Sequence, residues 1–222
     1  LKENLNKEWL QPFQPERGEP VDWLGNWHPL AEQLGSTNGL AALSDISATL
    51  RVPLAHDLAS LRQFLLSYQK QLLLPIELPA IQRAFDHTCR HEVRELCEFD
   101  RQLASEPAIQ SFAEASKRIG QTELLKLRPL RDERIIRRYL EAVERKEAYA
   151  WHTLVYGMTL AFYSMPLRQG LLGYGYQTTR GFIYAAAKSL KLSEKDCRTL
   201  LDDLCGNLPA AVEELIAQRV AA

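Results

Sequence analysis

The sequence predicts an all-α fold, a single-domain bundle of about eight to ten helices over residues 29–222. Three observations carry that expectation. Apolar residues recur three and four apart in one segment after another, the spacing of a helical face. No stretch of useful length alternates apolar and polar residues as a half-buried strand does. Cap residues and prolines punctuate these segments at helix-like lengths.

Residues 1–28 form a separate, irregular N-terminal arm. Prolines, glycines and tryptophans are interleaved there with charges and no period is sustained, so the arm docks its aromatic rings rather than forming a helix. Leu58, Leu61, Leu65, Tyr68 and Leu72 then make one apolar stripe, with Asp57 as N-cap. Pro75 and Pro79 close that helix and open the next. Ile81, Phe85, Val93, Leu96 and Leu103 supply the inner face of one or two further helices. Ser105 is the expected cap of the following segment, with Pro107 in its first turn. "RDERIIRRYLEAVERK" is short and amphipathic. "YAWHTLVYGMTLAFYSM" is apolar nearly all round and predicts a central, buried helix. Ser193 caps a last helical region, broken between Gly206 and Pro209.

The bulk numbers exclude some classes of function. With 25% charged residues and a net charge of −1, the chain shows no excess of positive charge for nucleic acid or a membrane surface. No apolar run approaches the roughly 18 residues of a membrane span. No secretory signal is visible, although the first residue is Leu1 and not methionine. Cys89 and Cys97, like Cys197 and Cys205, are spaced for helix packing and not as a CxxC metal motif; reduced thiols and a cytoplasmic location follow as the expectation.

"LLGYGYQTTRGFIYAAAKSL" places Gly173, Gly175 and Gly181 beside an alanine run inside a helical segment. Each glycine costs about 1 kcal/mol against alanine. Small side chains repay that where a neighbouring helix approaches closely, so this segment is the expected packed axis of the bundle. In the other arrangement, Gly173 and Gly175 end a turn and the helix starts near Tyr176.

These residues also resemble the urease accessory protein UreF family. "GYGY" followed by a small-residue helix and "AAAKSL" is similar to the family's C-terminal half. "WHTLVYGMTLAFYSMPL", "LLLPIELPAIQRAF", "ASKRIGQTELLKL" and "LGSTNGLAAL" resemble its other segments in the same order. The matching signature positions are Gly35, Gly39, Leu40, Gly120, His152, Gly157 and Gly173. Ala41 stands where members carry glutamate, "KLSEKD" replaces a Gly-Gln turn, and the C-terminal tail is short. The resemblance implies an all-α, non-enzymatic, dimeric adaptor without a cofactor, acting in nickel-urease assembly. Its implied partners are a urease-binding scaffold of the UreD/UreH type and a nickel-delivering GTPase of the UreG type. It also implies that Lys188, Tyr174 and Tyr176 face that GTPase. An interaction module on the same fold, no longer tied to urease, is one alternative, and a helical metal- or ligand-binding protein using His87 and His91 is the other.

Residue chemistry adds little catalysis. P-loop, GxGxxG and GxSxG patterns are absent. His87 and His91, at i and i+4, are weak candidates for metal ligands on one helical face, or else part of a solvated face. His152, at the start of the buried helix, is expected to be a hydrogen-bonded structural residue. Lys126, Arg128, Arg131, Arg134, Arg137 and Arg138 are interrupted by acidic residues and read as a solvated face.

Overall fold

The computed structural model describes residues 28–30, 44–130 and 134–221. Residues 1–27 of the expected arm, Arg131, and Gly35, Gly39 and Leu40 of the expected signature lie outside the described residues. Among the described residues every element is helical. In chain order they are α1 (Ser44–Leu50), α2 (Leu58–Tyr68), a π-helical stretch (Gln69–Glu77), α3 (Leu78–Cys89), α4 (Val93–Leu103), α5 (Pro107–Gln110) and α6 (Ala113–Lys126). A 3-10 turn (Arg128–Leu130) follows, then α7 (Arg134–Glu144), α8 (His152–Phe162), α9 (Leu167–Leu190), α10 (Glu194–Cys205) and α11 (Leu208–Ala221). The all-α bundle is the expected one.

Local signals explain most boundaries. Asp57 accepts the Ser60 N–H at 2.8 Å, and Ser60 Oγ accepts the Asp57 N–H at 3.0 Å, a reciprocal cap on α2. Ser193 and Asp196 do the same for α10. The expected cap at Ser105 is displaced by one residue: Glu106 accepts the Ala108 N–H, with Pro107 at the first helical position.

Pro75 does not end its helix. The chain winds more widely over Gln69–Glu77, and the Leu78 N–H reaches back five residues to the Leu73 carbonyl. That wider turn absorbs a residue without an N–H and runs α2 into α3 without a break.

The packed axis is α8, not the glycine-rich segment. Every residue from His152 to Leu160 is buried, with α3 and α6 as the main neighbours. Both neighbours come close across a glycine. A Cβ at Gly157 would lie 2.4 Å from the Ile81 carbonyl oxygen, and one at Gly120 would lie 1.8 Å from that of Ala150. Main chain cannot yield as a flexible side-chain tip can, so these positions hold the closest approaches. The glycine-rich segment forms the continuous helix α9, which runs through Gly173 and Gly175. A Cβ at Gly173 would meet nothing nearer than 4.0 Å, whereas Gly175 makes room for the Leu208 side chain of α11.

Candidate functional site

The centre of the bundle is polar. Glu77 ends the π-helical stretch, Tyr68 ends α2, His152 opens α8, Tyr174 lies in α9, Ser116 lies in α6, and His28 enters from the N-terminal segment. All six are buried. Leu30 N–H donates to His28 Nδ1 at 3.2 Å, so that nitrogen carries a lone pair and Nε2 carries the proton. His28 Nε2 faces Glu77 Oε1 at 2.9 Å. The Tyr68 hydroxyl donates to Glu77 Oε2 at 2.5 Å and lies 2.8 Å from His28 Nε2. Tyr174 donates to Glu77 Oε2 at 3.3 Å and lies 2.7 Å from His152 Nε2. His152 Nδ1 is 2.7 Å from Ser116 Oγ. With Nε2–H of His152 donating to Tyr174 and Ser116 donating to Nδ1, every donor in the chain has an acceptor.

Electrostatics follow from that wiring. Burial acts to raise the Glu77 carboxyl, but His28 beside it and the Tyr68 hydroxyl outweigh it and hold the group below its ordinary value, ionised. Burial, and then His28, push His152 down to about 3, against the opposing pull of Glu77, so its ring is neutral. Burial first and Glu77 second raise Tyr68 and Tyr174 well above the phenol range, so both keep their protons. His28 also makes edge contacts with Tyr68, His152 and Phe182. The residue expected to close the arm is therefore part of the bundle core.

A second buried carboxylate pins the entry to α8. Asp100 of α4 accepts from the Tyr139 hydroxyl at 2.5 Å and from the Tyr149 and Ala150 N–H groups at 2.7 and 2.9 Å. Its backbone carbonyl accepts from Trp151 Nε1. Burial raises the Asp100 carboxyl despite those donors.

The expected site residues divide. His152 is the hydrogen-bonded core residue its position predicts. Gly120 and Gly157 are packing positions and Gly173 is half-buried on α9. Lys188 is exposed near the C-terminal end of α9, and Tyr176 is half-buried on the same helix. Tyr174 is 3% exposed and bonded inward, so it presents no face to a partner, contrary to expectation. His87 and His91 do not share a helical face. Helix α3 ends at Cys89, His91 adopts the left-handed conformation at φ 57°, and His87 Nδ1 lies 2.8 Å from Glu92. Among the described residues, the three metal-ligating side chains that do converge are His28, Glu77 and His152. Glu77, Tyr68, Ser116 and His28 were not singled out for chemistry by sequence. The available signal was a lone glutamate within "LLLPIELPAI".

No described helix is long and apolar enough to cross a membrane. The class is thus an all-helical scaffold closed around a hydrogen-bonded polar centre. The UreF family model matches residues 55–205, from the entry to α2 through the end of α10, and the chain belongs to that family. The urease accessory protein UreF of Haemophilus influenzae is 27% identical over 130 residues, covering 59% of this chain and 55% of the relative. That of Pseudomonas putida is 33% identical over 87 residues, covering 36% and 39%. The chain thus spans about half the length, or less, of these curated relatives.

Proposed function

We propose that the chain is a non-enzymatic adaptor of urease maturation. It bridges a urease-binding scaffold of the UreD/UreH type and a nickel-delivering GTPase of the UreG type, as a cytoplasmic homodimer. The observation that carries this reading is the family match over residues 55–205, which takes in the whole run from α2 to α10. Within it, Gly120 and Gly157 hold close helix approaches. A rigid scaffold of this kind serves recognition by presenting fixed outer faces.

Lys188 is the residue proposed to meet the GTPase, with Tyr176 more than three turns earlier on α9. An exposed cation on a long helix confers specificity toward an acidic surface more than raw affinity. The test is co-purification of the full chain with a UreG-type GTPase and a UreD/UreH-type scaffold. A three-protein complex that weakens on the order of tenfold with Lys188→Glu, while the variant stays folded, is the expected result. Capture of neither partner by a folded chain contradicts the reading. That outcome moves the chain to the alternative, an interaction module on the same fold without urease clients.

A further inference from the structure

We propose that His28, Glu77 and His152 form a buried binding site for a divalent transition-metal ion. Their donor atoms lie within 4.8 Å of one another, and all three residues are buried. Two imidazoles and one carboxylate suit zinc, nickel and ferrous iron; calcium and magnesium favour oxygen donors alone.

The outer shell is also in place. His152 Nδ1 sits 2.7 Å from Ser116 Oγ, the kind of contact that orients a ligating imidazole and sets its tautomer. The Tyr68 and Tyr174 hydroxyls border the same point and can complete the coordination.

Metal–ligand bonds of about 2.0–2.2 Å set donors roughly 3–4 Å apart, so movements of about 1 Å close the set. A cavity of about 10 Å³, room for a single water, borders Glu77, Ser116 and His152 and gives those side chains space to adjust. Coordination through Nε2 moves each imidazole proton to Nδ1. At His152 the Ser116 oxygen accepts it. At His28 it displaces the Leu30 N–H, whose 3.2 Å contact is among the longer ones in the cluster. Metal uptake therefore ties the N-terminal segment to α8 and perturbs the backbone at Leu30. The site rests on these side chains and not on the adaptor role, so either can fail alone.

The test uses the full chain, stripped with a chelator and titrated separately with zinc and nickel by calorimetry and elemental analysis. One ion per chain with either metal, a rise in Tm on adding it, and a shifted Leu30 amide resonance are expected. Glu77→Gln and His152→Ala abolish binding. Because both are core residues, Ser116→Ala supplies the milder variant, with affinity lowered about 10- to 100-fold. His87→Ala/His91→Ala leaves binding unchanged. Wild-type chain that takes up neither metal overturns the proposal. So does binding that survives in Ser116→Ala at full strength but disappears in His87→Ala/His91→Ala.

Discussion

Tyr68 and Glu77 lie nine residues apart, yet the Tyr68 hydroxyl donates to Glu77 Oε2 at 2.5 Å. In an α-helix, nine residues make about two and a half turns, which puts the two side chains on opposite faces. The wider π winding over Gln69–Glu77, at roughly 4.4 residues per turn, returns them to the same face. The irregular turn around Pro75 is therefore what carries Glu77 into the centre of the bundle.

Glu77→Ala leaves the Tyr68 hydroxyl and the His28 N–H without their shared acceptor inside the core. Each such group costs about 1–3 kcal/mol, so a loss of about 3 kcal/mol or more is expected. Urea unfolding followed by far-UV circular dichroism measures it. A loss below about 1 kcal/mol would mean that water reaches the site and replaces the carboxylate.

Asp100→Ala makes a parallel case at the segment that leads into α8. It strips an acceptor from the Tyr139 hydroxyl and from two backbone N–H groups at once. A comparable loss of about 3 kcal/mol or more follows, with amide exchange at Tyr149 and Ala150 rising beyond that of the rest of the chain. Equal exchange everywhere would show that Asp100 does not pin this segment.

Glycines separate by what surrounds them. Gly157→Ala forces a methyl against the Ile81 carbonyl and is expected to cost about 1–3 kcal/mol. Gly173→Ala meets open space and gains helix propensity, so it is neutral or stabilising by up to about 1 kcal/mol. The pair shares one chemistry and differs only in environment. Thermal denaturation of both variants checks the sign, and equal effects would contradict the described packing of α8 on α3.

His152 makes stability depend on pH. Its pKa falls from 6.5 to about 3 on folding, so across that window the unfolded chain binds a proton that the folded chain refuses. Stability therefore drops as pH falls through the window, by up to several kcal/mol in total. Glu77, also lowered on folding, adds a loss in the same direction below its unfolded pKa of 4.5, as protonation removes the ionised acceptor. Asp100, raised on folding, opposes both at the acid end, since its contribution is present in acid and fades as pH rises. The Tm should decrease from pH 7 to pH 5, and His152→Gln should flatten that slope. An equal slope in the variant would assign the acid sensitivity to other groups.

What was legible in the sequence was local. The stripe from Leu58 to Leu72, the caps at Asp57 and Ser193, the break after Cys205 and the nearly all-apolar α8 all follow from spacing within a few turns. The polar centre joins residues far apart in the chain, with His28 and Glu77 separated by 49 positions and Glu77 and Tyr174 by 97, and no periodicity encodes such pairs. Pro75 reads as a terminator because its missing N–H breaks an α-helical ladder, and nothing local announces that a wider turn accommodates it. His87 and His91 share a face only in a helix that continues, whereas the left-handed residue at position 91 ends this one. Glycine-rich α9 drew attention by composition, yet the closest approaches fall at single glycines, Gly120 and Gly157, in other helices.

The adaptor role is tested most directly by size-exclusion chromatography with light scattering on the full chain mixed with a UreD/UreH-type scaffold and a GTP-loaded UreG-type GTPase. A single species whose mass contains all three proteins, split by Lys188→Glu into a chain–scaffold complex and free GTPase, is the predicted outcome. Three proteins eluting separately, with the chain folded and unaltered, would contradict it.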